Sequence, residues 1–114
     1  MPKFIVNTNL SKDKVPEYFA GELTQQLAKA LGKPAQYLAI PVSPDQVMSF
    51  GGSRDPCAMC FLYRDKTGEQ ENEVYPKLLC DLPNKQLKIP SDRIHVSFFD
   101  ISPGNVGWNN TTFT

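Results

Sequence analysis

Phe4, Ile5 and Val6 form a short apolar run followed by Asn7, Asn9 and Ser11, a pattern that predicts a β-strand closed by turn-favouring residues. From Val15 the period changes. Val15, Phe19, Leu23, Leu27 and Leu31 recur at every fourth position, which predicts an amphipathic helix with Pro16 in its first turn and Ser11 or Asp13 as its cap. Lys29, Gly32, Lys33 and Pro34 supply the stop. YLAIPV then predicts a second strand, and the strand–helix–strand order calls for a right-handed parallel βαβ unit.

The pattern repeats about 55 residues later. AMCFLY reads as a strand, the polar stretch DKTGEQENE leads into a helix carrying Val74, Leu78, Leu79 and Leu82, and RIHVSFF closes a second unit. Pro83 is expected to kink or break that helix near Leu82, because proline removes an internal hydrogen bond and crowds the preceding turn. A single domain over residues 1–114 follows, with pseudo-repeats at 1–55 and 56–114. Two helices cover only one face of a four-stranded sheet. Phe4 and Val6 nevertheless oppose Ile5 in parity, and Ile94, Val96 and Phe98 oppose Phe99, so the uncovered face is expected to pack on other copies of the chain.

Composition narrows the partners. Twelve basic and twelve acidic residues give a formal net charge of zero, which removes the electrostatic footprint expected for nucleic acid or an anionic membrane. No apolar run approaches the roughly 20 residues of a membrane span, and the first residues lack a secretory signal layout, so the default compartment is the cytosol. Three cysteines are poor material for a disulfide framework. The acceptor patterns at Asn9, Asn109 and Asn110 are read as structural polar residues.

Pro2 directly follows the initiator methionine. If Met1 is removed, Pro2 becomes a terminal secondary amine, able to act as base or nucleophile without a side chain.

MPKFIVNTN at the start, then ELTQQLAKALGKP, PDQVMSFGGS, DPCAMC and GNVGWNNTTF at the end, together resemble the macrophage migration inhibitory factor family of the tautomerase superfamily over essentially the whole length. The resemblance implies an α/β (α+β) fold: duplicated βαβ units forming a four-stranded mixed sheet with two helices on one face. It also implies a homotrimer with an active site at each subunit boundary, removal of Met1, and no cofactor or metal. The family's catalytic proline maps to Pro2, its lysine to Lys33, and its apolar pocket wall to Tyr37, Val106, Trp108 and Phe113. The implied activity is keto–enol tautomerisation of an aromatic α-keto acid of the phenylpyruvate or dopachrome type.

That chemistry needs one group to take a proton from carbon and return it at oxygen. A terminal amine with an ordinary pKa near 8 is mostly protonated at neutral pH, but apolar surroundings and the Lys33 cation both disfavour the ammonium. Lys33 also suits a substrate carboxylate or enolate oxygen. Without the resemblance, Lys33 is simply a cation suited to a helix C-terminus, and Trp108 and Phe113 are ordinary apolar cover.

The chain departs from the family at several positions. His95 and Ser97 stand where a neighbouring vertebrate subunit contributes a tyrosine and an asparagine, and a histidine there would introduce a pH dependence. Lys3 and the Arg64-Asp65-Lys66 stretch replace apolar residues; the Asp65 backbone remains a substrate contact by resemblance, while its carboxylate opposes an anion.

Other functions compete. Cys57 and Cys60 form a CxxC credited in the family with redox activity, but at a strand start residues three apart point to opposite faces, favouring structural thiols. Cys57, Cys60, Cys80 and His95 count to a nominal zinc set with only one close pair, and a nuclease role for Glu22 conflicts with the zero net charge. The family also includes cytokines that leave cells without a signal peptide and bind cell-surface receptors. Lys12 and Asp45 map to its receptor-binding charge pair, so secretion and cytoplasmic residence are both expected.

Overall fold

The computed structural model describes residues 2–65 and 69–112, with side chains at 2–65 and 77–112. Strand β1 spans Lys3–Thr8, helix α1 Phe19–Leu31, β2 Val42–Ser43, β3 Ala58–Arg64, helix α2 Glu69–Leu87 and β4 Ile94–Asp100. They form a mixed sheet in the order β2-β1-β3-β4. β1 runs parallel to β2 and β3 parallel to β4, while the central β1–β3 pair is antiparallel. Phe4 and Val6, Cys60 and Leu62, and Ile94 meet Phe19, Leu23 and Leu27 of α1 and Leu79 and Leu87 of α2 in one core, which places both helices on the same face.

Alternation along β1 buries Phe4, Val6 and Thr8. Thr8 is polar, and both capacities of its hydroxyl are used: Oγ1 donates to the Cys57 carbonyl at 2.8 Å and accepts from the Leu10 N–H at 3.2 Å.

Helix α1 begins later than the apolar period predicts. Val15 precedes Pro16 and is extended (φ −96°, ψ 114°), as crowding by a proline ring requires. Lys12–Lys14 therefore form a separate 3-10 turn, and Tyr18 is the N-cap of α1 without a side-chain bond, so neither Ser11 nor Asp13 caps it. The stop is as expected: Gly32 adopts φ 65°, and the Lys33 N–H donates to Ala28.

The second strand is shorter than YLAIPV predicts. Pro2, Phe4 and Val6 exchange backbone bonds with Ala39 and Pro41, but Pro41 has no N–H to give, and the regular ladder is confined to Val42–Ser43. Pro83 does not break α2, which runs on to Leu87. Leu79, Pro83 and Leu87 are buried at four-residue spacing, so the proline ring sits in the helix's core-facing stripe. The side chain of Val74 lies outside the described residues.

The segment entering β3 is tied from two sides. Gly51 and Gly52, with φ 59° and 77°, make a tight turn closed by mutual Phe50–Ser53 backbone bonds. Asn9 donates to the carbonyls of Arg54 and Asp55 and accepts from the Cys57 N–H, each at 3.0 Å. The Arg93 guanidinium donates to the carbonyls of Phe50, Ser53, Asp55 and Pro56, at 3.0 to 3.3 Å, and lies 5.2 Å from the Phe50 ring centre.

Cys57 and Cys60 are both buried, contrary to the opposite faces of strict alternation, because Cys57 precedes β3 in the turn held by Asn9. Burial pushes the Cys60 thiol up to about 12, with Cys80 adding to the shift, and burial raises Cys80 too. Such thiols are protonated at neutral pH and are weak nucleophiles.

Two outcomes follow from this packing. Arg93→Met should lower the unfolding free energy in urea by about 2 kcal/mol, and an unchanged midpoint would refute the clamp. Because the Cys60 pKa is raised on folding, its contribution is complete below the unfolded value near 9 and is lost as pH rises towards about 12. Urea midpoints should therefore fall over that range, and more steeply in the parent than in Cys60→Ala; equal slopes would count against a buried, protonated thiol.

Candidate active site

Pro2 is buried at the entrance to β1. Its carbonyl accepts from the Ala39 N–H at 3.2 Å, which fixes it against the segment that follows α1. Pro2, Leu31, Lys33, Tyr37, Arg64, Asp65 and Pro103 line one cavity of about 160 Å³. Four residues named from the sequence, Pro2, Lys33, Tyr37 and Asp65, thus come together.

Each wall has a local cause. The left-handed Gly32 ends α1 and releases Lys33 towards the cavity, while the 3-10 turn Ala35–Tyr37 brings Tyr37 to it. Arg64 and Asp65 lie at the end of β3, where the Arg64 carbonyl accepts from the Ile101 N–H at 2.9 Å and its Nε donates to the Asp65 carbonyl at 3.2 Å. Pro103 opens the 3-10 turn that follows β4.

Trp108 does not line the cavity but stands edge-on to Tyr37, with ring centres 5.9 Å apart. It is carried by a hairpin of β5, Gly107–Trp108, and β6, Thr111–Thr112. Asn109 and Asn110 take φ 50° and 65°, which explains this asparagine pair as the turn of a two-residue hairpin. Val106 is outside the lining, half-buried beside the Pro103 turn. Met1 and Phe113 lie outside the described residues.

His95 and Ser97 do not line the cavity either. They project from β4 on the face opposite Ile94 and Val96, where His95 meets the Phe50 ring edge-on at 6.4 Å. That face is rich in aromatic surface: Tyr63 stacks on Phe99 at 4.6 Å and 12°, Phe61 lies 6.1 Å from Phe99, and Lys3 Nζ sits 4.9 Å above the Tyr63 ring. Among the described residues, no group of three or more His, Cys, Asp or Glu side chains is placed to hold a metal ion.

Lys12 and Asp45 border a second, larger groove of about 740 Å³ between the Lys12–Lys14 turn, the start of α1 and the segment after β2. The Asp45 backbone is held at φ 60° with its N–H donating to Leu10 at 2.7 Å. In the same groove a hydrogen bond from Ser11 keeps the Asp13 carboxyl below the usual carboxylate range. Glu22 accepts from the Gln86 side-chain amide, an interhelical contact that accounts for it structurally.

Arg64, Leu31 and Pro103 were not singled out for the pocket by sequence. The placement of Arg64 comes from the antiparallel β1–β3 register, which pairs Lys3 with Tyr63 and so brings Pro2 alongside Arg64.

The macrophage migration inhibitory factor family model matches residues 1–114. The macrophage migration inhibitory factors of Mus musculus and Xenopus laevis are 54% and 52% identical over 114 residues, covering 99% of this chain and 99% of each relative. The solved macrophage migration inhibitory factor structure from Trichinella spiralis superposes with a TM-score of 0.93 at 34% identity, covering 97% of this chain and 99% of that one. With whole-length sequence and fold agreement alike, this chain belongs to the macrophage migration inhibitory factor family.

Proposed function

We propose that the protein is a keto–enol tautomerase of phenylpyruvate-type acids, with Pro2, freed by removal of Met1, as its acid–base group. The observation that carries this reading is the buried Pro2 in one small cavity with Lys33 and Tyr37. The Pro2 nitrogen takes the proton from the carbon beside the keto group, and the resulting ammonium delivers it to the enolate oxygen. The amine is returned neutral, and the substrate keeps only its carboxylate charge. Lys33 holds the substrate carboxylate or the developing oxyanion, and Tyr37, backed edge-on by Trp108, supplies the aromatic wall.

The cation of Lys33 and the partial desolvation of Pro2 both disfavour the ammonium, bringing the amine towards the range of a neutral-pH base.

The active form in this reading is a homotrimer. The aromatic face carrying Phe61, Tyr63 and Phe99 supplies apolar surface for a neighbouring copy, whose His95 and Ser97 then complete the pocket. A second role, as a secreted cytokine, draws support from Lys12 and Asp45 sharing one groove, a surface that a cell-surface receptor would engage.

In protein shown by mass to lack Met1, Pro2→Gly should reduce kcat/KM for enol phenylpyruvate by at least about a hundredfold while the native mass stays that of a trimer. Full turnover by that variant would refute the mechanism, and a monomeric parent would refute the shared site. For the second role, Lys12→Ala with Asp45→Ala should weaken receptor binding, and unchanged binding would remove it.

A further inference from the structure

The tautomerase reading uses Lys33 as its anion anchor, yet the cavity has a second cation. Arg64 lines it from the opposite side of Pro2 in the sheet order: Ala39, which pairs with Pro2, lies towards β2, whereas Arg64 ends β3 on the other flank of β1. The guanidinium is held rather than loosely solvated. The residue is half-buried, its Nε donates to the Asp65 carbonyl, and its own carbonyl is fixed by Ile101. A small acid whose 2-oxo carboxylate is held by Lys33 therefore shares its cavity with Arg64.

We infer that Arg64 is a second anion anchor, and that the preferred substrates of this pocket are 2-oxo acids carrying a further carboxylate at the far end. The chemistry of the residue fits that role, because a guanidinium offers a planar fork to which a carboxylate binds through two parallel hydrogen bonds, and it remains charged at any physiological pH. Asp65, on the same wall, opposes negative charge in general. The pocket therefore does not simply gather anions: a second carboxylate is favoured where it meets the Arg64 fork and disfavoured elsewhere. This positional requirement separates a recognition site from a basic patch. The kinetic part of the inference rests on the tautomerase reading, whereas the binding part does not.

The test compares phenylpyruvate with 4-carboxyphenylpyruvate, in processed parent protein and in Arg64→Met, which keeps an unbranched apolar stem. The parent should bind the dicarboxylate more tightly in calorimetric titration and show the higher kcat/KM for it, mainly through KM. In Arg64→Met the ratio of the two kcat/KM values should fall about tenfold, and the ratio of the two Kd values likewise, as loss of a charge-assisted hydrogen bond implies. Arg64→Lys should recover part of the ratio, since the charge returns without the fork. A parent that does not prefer the dicarboxylate in either measurement, or an Arg64→Met variant with both ratios unchanged, would overturn the inference. Should the parent turn over neither acid while still binding the dicarboxylate more tightly through Arg64, the tautomerase reading fails and the anchor stands.

Discussion

The alternation of β1 governs both the core and the candidate site. Phe4, Val6 and Thr8 have no exposed surface, and burying the two apolar side chains contributes about 1.5 to 3 kcal/mol each. A slip of one residue would turn them outward and bring Lys3, Ile5 and Asn7 into the core, so the register has no near alternative. The same register determines where Pro2 falls. It sits one step beyond the Lys3–Tyr63 pair, alongside Arg64 on one flank and bonded to Ala39 on the other. Placing a main-chain nitrogen at a catalytic position requires this: with no side-chain torsions to adjust, it can be aimed only by the strand that bears it.

The two faces of the sheet answer different needs. One is closed by α1 and α2 around Leu23, Leu27, Leu79 and Leu87. The other carries the Tyr63–Phe99 stack with Lys3 over it, and leaves Phe99 and Met59 more than a third exposed. In the proposed trimer this second face is the subunit contact, and it brings His95 and Ser97 to a neighbour's pocket. The histidine and the cation over Tyr63 then make assembly and site more polar than the vertebrate pattern implies. Arg64 adds to that trend within the cavity itself.

Much of this was legible in the sequence, because long periodic signals survive local irregularity. The every-fourth-residue set from Val15 to Leu31 all packs on the core, although the helix proper begins only at Phe19. The helix starts later than the period because Pro16, although suited to a first turn, also forces the residue before it out of the helical region, as the extended Val15 shows. Proline acts in both directions elsewhere: Pro41 shortens a strand that apolar content alone extends, whereas α2 runs on through Pro83 to Leu87 with the proline ring in the buried stripe between Leu79 and Leu87. The family resemblance named Pro2, Lys33, Tyr37 and Asp65, which share one cavity, but the position of Arg64 depends on cross-strand register, which composition does not carry. The two cysteines show the same limit, since Cys57 is buried by a turn that Asn9 holds from 48 residues away.

The central claim is that the nitrogen of Pro2 is the acid–base group, and the state of that nitrogen can be changed without altering a side chain at the site. Retained Met1 makes it an amide with no basicity, whereas removal of Met1 makes it a secondary amine. The decisive measurement is turnover of enol phenylpyruvate by two samples of this sequence, one shown by mass to retain Met1 and one shown to lack it, across neutral pH. Activity confined to the processed sample is the predicted result. Equal activity in both, or none in the processed sample, would contradict the account.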